Sequence, residues 1–267
     1  MTTLASPAAR MSWWRETLAG PVLAIQFLTA VPLPLAVPAT PRHLGRALAF
    51  FPLAGALLGL ALAGLDSVLL RALPASAATA VLLAAGVLAT GALHVDGLMD
   101  ACDGIFGGRT AVGRLEIMRD SRVGSYGVLA GALQLLLKYA ALSALPLGWR
   151  GAALVMALSA GRWAMVGATW VFPYARPEGL GAAFKAGVTW PSMVWATLFA
   201  LAVAWASLGA PGLALLALAG AAAWLTGAYA AGKLGGLTGD CYGAVNEVVE
   251  TALLLALLAW RGSPTHA

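Results

Sequence analysis

Eight of the eleven acidic side chains in this sequence lie in two short segments. In the first segment, Asp96, Asp100 and Asp103 have i, i+4, i+7 spacing, so a helix would carry all three carboxylates on one face. Three like charges in this arrangement repel one another, and a divalent cation between them relieves the repulsion. Because ligation by oxygen alone suits a hard ion, the spacing predicts a site for Mg²⁺ or Mn²⁺.

The residues after this triplet add glycines and positive charge. Gly104, Gly107 and Gly108 permit a turn and a close approach of backbone to a ligand. Arginines then alternate with acids, and helical spacing puts Glu116 and Asp120 on one face. A diphosphate requires this combination, because the metal bridges phosphate oxygens, guanidinium groups bind the remaining charge and a spare carboxylate accepts a proton from an attacking hydroxyl.

The sequence therefore predicts phosphoryl transfer in residues 94–127, with three sets of functional residues. The expected metal ligands are Asp96, Asp100, Asp103 and Asp120. The expected phosphate-binding residues are Arg109, Arg119 and Arg122. The expected general base is Glu116 or Asp120, and the sequence does not choose between them.

A second polar segment covers residues 235–250. Its glycine-rich start leads into a predicted helix on which Asn246, Glu247 and Glu250 lie within one turn. Four predicted spans separate the two segments, and an even number of crossings returns the chain to the same side of a membrane. We expect this segment to be the second half of the site, where Asp240, Asn246, Glu247 and Glu250 bind a nucleoside or complete the metal shell.

The elements that carry these segments are too apolar for a soluble domain. Of the 267 residues, 61% are hydrophobic and 10% are charged, and the mean hydropathy is +0.85, whereas an ordinary soluble domain has ~25% charged residues. Apolar runs near the ~20 residues of a helical span predict an all-α, polytopic integral membrane protein that is one membrane domain over residues 1–267. The seven predicted spans are 47–65, 75–95, 123–145, 151–172, 190–209, 213–231 and 246–260.

Prolines set the apolar stretch at residues 18–38 apart from these spans. Pro21, Pro32, Pro34 and Pro38 each remove a backbone donor that lipid cannot replace. The run between Pro21 and Pro32 is too short to cross a membrane. We therefore expect an interfacial or re-entrant helix that leaves the chain on its starting side.

Positive charge supports this assignment. If residues 18–38 do not cross, eleven of the sixteen Lys and Arg lie on the side of both acidic segments and three on the other, with Lys138 and Arg162 inside spans. Cytoplasmic loops are enriched in Lys and Arg, so both acidic segments should face the cytoplasm. The eleven are Arg10, Arg15, Arg42, Arg46, Arg109, Arg114, Arg119, Arg122, Arg176, Lys185 and Lys233. The three are Arg71, Arg150 and Arg261.

Other polar residues favour plainer interpretations. Asp66 and Glu178 stand alone and are expected to be solvated loop residues, and His94 is expected to form hydrogen bonds at the membrane interface. Cys102 and Cys241 are too few for a disulfide framework or a structural zinc site. The net charge of +5 is scattered over short loops and forms no basic stripe, so nucleic-acid binding is not expected.

The two acidic segments, in this order, resemble those of the cobalamin synthase family, adenosylcobinamide-GDP ribazoletransferase. The first match is His94-x-Asp96-Gly-Leu-x-Asp100-x-x-Asp103-Gly, continued by Arg114-x-Glu116-Ile-Met-Arg119-Asp120-Ser-Arg122-x-Gly124. The second is Gly235-Gly-x-Thr238-Gly-Asp240-x-x-Gly243-Ala-x-Asn246-Glu247-x-x-Glu250. Shorter matches are Lys138-Tyr139, Gly161-Arg162 and Pro173-Tyr-Ala-Arg176.

The resemblance implies an enzyme of coenzyme B12 assembly in a bacterial inner membrane. It implies transfer of phosphoadenosylcobinamide from adenosylcobinamide-GDP to α-ribazole or its 5′-phosphate, release of GMP, dependence on Mg²⁺, and a substrate-binding role for Lys138. The sequence does not fix the oligomeric state, and a homo-oligomer stays open.

Two alternatives remain open from the sequence. The acid spacing also resembles, more loosely, that of membrane CDP-alcohol phosphotransferases, which make phospholipids by the same kind of displacement. A secondary transporter is a different class of function; its site would lie near the bilayer midplane at interrupted helices, whereas these acids lie at span ends. Lys138 and Arg162, inside predicted spans, are the residues that favour a transporter.

Overall fold

The computed structural model describes residues 13–261, which fold almost entirely into α-helices. An isolated parallel β-bridge joins Tyr174 and Leu237. The helices are α1 (Trp13–Leu28), α2 (Pro41–Leu48), α3 (Phe51–Leu69), α4 (Ala75–Ala89), α5 (Leu93–Gly107), α6 (Ala111–Ile117), α7 (Ser125–Ala144), α8 (Leu147–Val171), α9 (Leu180–Gly187), α10 (Trp190–Leu208), α11 (Ala210–Leu234) and α12 (Gly239–Arg261).

Within residues 13–261, six helices are long and apolar enough to span a membrane, namely α3, α7, α8, α10, α11 and α12. Each overlaps one of the predicted spans, so the predicted polytopic all-α membrane protein is confirmed. The last span differs in its start. Because α12 begins at Gly239 rather than near residue 246, most of the second polar segment lies in about the first three turns of this helix.

The span predicted at residues 75–95 contains a sharp bend near its end. The helix α4 ends at Ala89, and α5 continues at an angle of 85° to it. Gly91 and Ala92 both have left-handed backbone conformations, with φ of 59° and 60°, and they produce this bend. All three acids of the first motif therefore lie on a separate helix, which turns away from the direction of α4.

Helix α8 forms the centre of the bundle. It packs against α3, α10, α11 and α12, and small residues such as Ala153, Ala157, Ala160 and Ala164 lie buried along it. Gly55 and Gly59 of α3 contact the α8 backbone so closely that a Cβ atom at either position would collide with it. Small residues thus allow the close helix approach on which packing in lipid depends.

Asp66 and Arg150 were both predicted to lie in loops, and both predictions were wrong. Asp66 lies in α3 and Arg150 in α8, and both are buried. The Arg150 guanidinium donates through Nε and Nη2 to the two Asp66 carboxylate oxygens, at 2.8 and 2.6 Å. Its Nη1 donates to Thr79 Oγ1 at 2.9 Å and to the Leu142 carbonyl at 2.7 Å. This bidentate pair joins α3, α4, α7 and α8 inside the protein. Glu178, in contrast, is exposed as expected.

The N-terminal proline-rich stretch contains only one short helix. Helix α1 has 16 residues, includes Pro21 and ends at Leu28. The chain then follows an irregular path past Pro32, Pro34 and Pro38 to α2. Helix α1 is shorter than the six spanning helices, and whether residues 18–38 cross the membrane stays as predicted from the prolines and the charges. Arg10 lies outside the described residues.

Candidate functional site

The two polar segments meet where α5 crosses α12. A Cβ atom on Gly97 would lie 2.9 Å from the Asp240 carbonyl oxygen, and one on Gly243 would lie 3.1 Å from the His94 carbonyl oxygen. Two glycines, one on each helix, thus allow the backbones to touch. The contact brings the α5 acids next to the beginning of α12. This agrees with the prediction from the sequence that both segments lie on the same side of the membrane.

Asp96 and Asp100 lie on α5 and Asp240 lies on α12, the two helices that meet at this crossing. Asp100 is partly buried and experiences repulsion from Asp96, Asp240 and Asp103, while Arg176 is the cation that acts on it. Asp96 and Asp240 also line one cavity of about 170 Å³. Partial desolvation of several like charges is unfavourable without a counterion. Arg176 is the positive charge that partly offsets this repulsion.

Arg176 is a site residue that the functional prediction from residue types did not include. Its Nη2 lies 3.1 Å from Asp240 Oδ2. The backbone positions it, because Ala175 N donates to the Leu237 carbonyl and Leu237 N to the Pro173 carbonyl, each at 2.8 Å. The only sequence signal was the tetrapeptide that ends at Arg176.

Asp103 has a different environment from Asp96 and Asp100, although it shares their helix. One carboxylate oxygen accepts a hydrogen bond from Gly124 N at 2.8 Å, and the other from Gly127 N at 2.7 Å. These amides belong to the N-terminus of α7, which begins at Ser125. Asp103 therefore caps α7 from another helix, where a carboxylate also interacts favourably with the helix dipole.

The acids and arginines after α5 lie on the protein surface. Glu116 is on α6, and it is exposed, as are Arg109 and Arg119. Asp120 accepts hydrogen bonds from Arg122, the shortest at 2.7 Å. These hydrogen bonds lower the pKa of Asp120 to about 2. No described contact joins this group to the carboxylates of α5, so its predicted metal, phosphate and base roles stay predictions.

Four residues predicted to bind substrate contact one another in the protein interior. The Lys138 Nζ lies 2.7 Å from Glu247 Oε2 and 2.5 Å from Glu250 Oε2. Asn246 Nδ2 donates to Glu250 Oε1 at 2.9 Å, and Arg162 of α8 pairs with the same oxygen. These charges neutralise one another, as buried charges must, and the substrate role of Lys138, Asn246, Glu247 and Glu250 stays a prediction.

His94 lies between this charge cluster and the carboxylate cavity. It is 2% exposed and therefore buried within the protein, and its expected position at the membrane interface stays a prediction. Its Nδ1 is 3.5 Å from Arg162 Nη2, and it lines both the carboxylate cavity and a cavity of about 60 Å³ beside Lys138. Sequence reasoning could not predict this position, because the bend at Gly91 and Ala92 turns His94 inward.

Within residues 13–261, no three Asp, Glu, His or Cys side chains are close enough together to hold a metal ion by themselves. The predicted ligand set of Asp96, Asp100, Asp103 and Asp120 is therefore not brought together around one point, and the metal site stays a prediction.

Comparison with known proteins identifies the family. A family model described as cobalamin-5-phosphate synthase matches residues 20–258. The chain belongs to this family. A protein of Desulforamulus reducens named adenosylcobinamide-GDP ribazoletransferase is 45% identical over 238 residues, which are 88% of this chain and 94% of the relative. A protein of the same name from Geotalea daltonii is 41% identical over 90% of this chain and 97% of the relative. No solved structure shows a significant match.

Membership in the cobalamin-5-phosphate synthase family makes the protein a transferase of cobalamin biosynthesis. The matched region includes both polar segments, the α5–α12 crossing and Arg176. The spanning helices make it an integral membrane protein. The family assignment thus confirms the resemblance on which the sequence prediction rests.

Proposed function

We propose that the protein is an Mg²⁺-dependent adenosylcobinamide-GDP ribazoletransferase. In this reaction a hydroxyl oxygen of α-ribazole, or of its 5′-phosphate, forms a bond to the phosphorus nearer the cobinamide. The bond from that phosphorus to the bridging oxygen breaks, GMP leaves with the bridging oxygen, and the hydroxyl proton passes to a base. The close crossing of α5 and α12, which places Asp96 and Asp240 at one cavity in a member of this family, supports the proposal.

Asp96 and Asp100 are the metal ligands that we favour, with Asp240 facing them. They lie one turn apart on α5 and repel each other, whereas both oxygens of Asp103 accept amide hydrogen bonds and Asp120 is paired with Arg122. When bound there, Mg²⁺ would supply positive charge that offsets the negative charge developing on the diphosphate.

The arginines of this chain bind the diphosphate oxygens whose charge the metal does not neutralise. Arg176 is already held beside Asp240, and Arg109, Arg119 and Arg122 are exposed to solvent. Guanidinium groups bind phosphate oxygens bidentately and stabilise the charge developing on the leaving GMP.

Glu116 is the general base that we favour over Asp120. The paired Arg122 guanidinium lowers the pKa of Asp120 to about 2. Asp120 is therefore a weak proton acceptor. Glu116 is exposed on α6.

The cavity at the carboxylates supports binding of the diphosphate rather than of the whole substrate. Its volume of about 170 Å³ is below the ~300–1,000 Å³ of ordinary small-molecule sites. The corrin and the guanosine would therefore lie outside it. The site would face the cytoplasm of a bacterial inner membrane, because removal of Arg150 from the loop count leaves only Arg71 and Arg261 on the opposite side.

GMP release from adenosylcobinamide-GDP tests the proposal. Purified protein in lipid is assayed with and without Mg²⁺ and with and without α-ribazole. We expect release only when both are present, and we expect Asp100→Asn to lower kcat by at least about a hundredfold, since metal and phosphate are then held poorly. The matched control is Glu178→Gln, which removes an exposed carboxylate outside the crossing and should keep wild-type activity.

Three outcomes would contradict the proposal. Wild-type turnover by Asp100→Asn would remove the metal site from the crossing. Release of CMP from a CDP-alcohol donor, without release of GMP, would favour a phospholipid-synthesising phosphotransferase. Substrate flux into proteoliposomes without any product would favour a transporter.

A further inference from the structure

A groove of about 750 Å³ lies between α1, α2 and the first half of α10, outside the carboxylate cavity. The cavity and the groove have no lining residue in common. One end of the groove is charged and the other is aromatic. The residues that define it are Glu16, Arg42, Arg46, Phe50, Trp195 and Phe199.

The charged end carries more positive than negative groups. Arg46 Nη1 lies 2.7 Å from Glu16 Oε1, and Arg42 Nη2 lies 3.8 Å from the same oxygen. The Arg42 side chain is 71% exposed and that of Arg46 is 42% exposed. One carboxylate cannot saturate two guanidinium groups, each of which has five N–H donors. Donors and net positive charge remain for an anionic ligand.

The aromatic end follows one face of α10. Pro191, Trp195 and Phe199 have i, i+4, i+8 spacing, so this face extends roughly 12 Å along the helix. The Phe199 ring lies 5.8 Å from that of Phe50 and 6.1 Å from that of Trp195. Trp195 is 55% exposed. The face is therefore apolar, accessible and long enough for part of an acyl chain.

The charged end and the aromatic end of the groove correspond to different depths in the membrane. Helix α10 is a spanning helix that begins at Trp190. A groove that begins at this helix end and passes Trp195 and Phe199 runs from the interface into the hydrocarbon region. Tryptophan is typical of membrane interfaces, and basic pockets between spanning helices bind anionic headgroups.

We propose that this groove is a binding site for an anionic phospholipid of the surrounding bilayer. The headgroup phosphate accepts hydrogen bonds from Arg42 and Arg46, and an acyl chain lies along Trp195 and Phe199. Glu16 competes with the phosphate for both arginines, and it is itself held by His43 Nε2 at 3.2 Å. The Glu16 carboxylate therefore lowers the affinity of the groove for the headgroup phosphate.

A measurement of the lipid that the protein retains tests the proposal without any assay of catalysis. The full-length protein is reconstituted into nanodiscs of phosphatidylcholine with 30% phosphatidylglycerol, re-extracted, and its bound lipid counted by native mass spectrometry. Wild-type protein should retain phosphatidylglycerol. Arg42→Gln combined with Arg46→Gln should lower the preference for phosphatidylglycerol over phosphatidylcholine roughly tenfold or more, because each basic residue near an anionic surface contributes to binding. Glu16→Gln should raise the preference, because it frees both arginines.

Controls separate this site from general attraction between a basic protein and an anionic membrane. Arg71→Gln removes an exposed arginine outside the groove and should leave retention unchanged. Excess inorganic phosphate should not displace the lipid, since it lacks the acyl chain. Equal loss in Arg71→Gln, unchanged retention in the double variant, or displacement by phosphate alone would overturn the proposal. Thermal unfolding of each variant at wild-type temperature shows that the fold is intact.

Discussion

Asp96, Asp100 and Asp103 share one face of α5, yet their carboxylates have different surroundings. Asp96 faces a cavity together with Asp240, and Asp100 is surrounded by three carboxylates and Arg176. Both oxygens of Asp103 instead accept amide hydrogen bonds from the start of α7. Residues with one regular spacing thus have two different surroundings. Asp103, at the end of the triplet, reaches the N-terminus of α7, whereas Asp96 and Asp100 do not.

This difference predicts opposite effects of the same substitution on stability. Asp103→Asn should lower the thermal unfolding temperature, because its amide group cannot replace two charge-assisted hydrogen bonds, each of about 1.5–3 kcal/mol. Asp100→Asn should leave that temperature unchanged or raise it, because it removes repulsion between like charges. Intrinsic fluorescence during heating in detergent measures both. An inactive Asp103→Asn protein with unchanged stability would show that Asp103 acts in the chemistry rather than as a cap.

At the scale of the element, the crossing of α5 and α12 forms the site. The bend at Gly91 and Ala92 separates α5 from α4, and glycines let α5 lie directly on α12. The predicted helical segments were largely right, because apolar run length and side-chain period are local properties. The bend was missed, because apolar residues continue through it and only the backbone conformation marks it.

The crossing predicts that Gly97 tolerates no side chain. A Cβ atom there would lie 2.9 Å from the Asp240 carbonyl oxygen and 3.1 Å from its Cα, and backbone atoms cannot move away as a side chain can. We expect Gly97→Val to separate Asp100 from Asp240 and to abolish GMP release.

Gly64→Ala is the matched control, because a Cβ atom at this α3 position meets nothing within 4 Å. It should keep full activity and gain up to about 1 kcal/mol of stability from the higher helix propensity of alanine. Retained turnover by Gly97→Val would show that the close crossing is not required for the site.

At the scale of the whole molecule, two buried charge clusters hold the bundle together. Lys138, Glu247, Glu250 and Arg162 join α7, α8 and α12 near the site. The pair of Asp66 and Arg150 joins α3 and α8 elsewhere. Ionisable groups inside a membrane protein normally face the bundle interior and pair with one another, and both clusters do so.

Removal of one partner should cost more than removal of both. Arg150→Met leaves the Asp66 carboxylate buried without its counterion, and we expect a loss of about 3–5 kcal/mol in the free energy of unfolding. The double variant with Asp66→Leu should recover most of this loss, because no charge then stays buried. Unfolding in graded denaturing detergent measures the energies. Additive losses in the double variant would contradict a direct pair.

The sequence by itself determined the membrane class, the approximate position of the spanning helices, the common face of Asp96 and Asp100, and the family. Each follows from local apolar run length, helical period or motif spacing. Only the tertiary structure decided that Arg176 pairs with Asp240, that Asp103 caps α7, and that Lys138 pairs with Glu247 and Glu250. The same holds for Asp66, whose partner Arg150 is 84 residues away. A buried charge must have a partner, but which one depends on helix packing that no local pattern records.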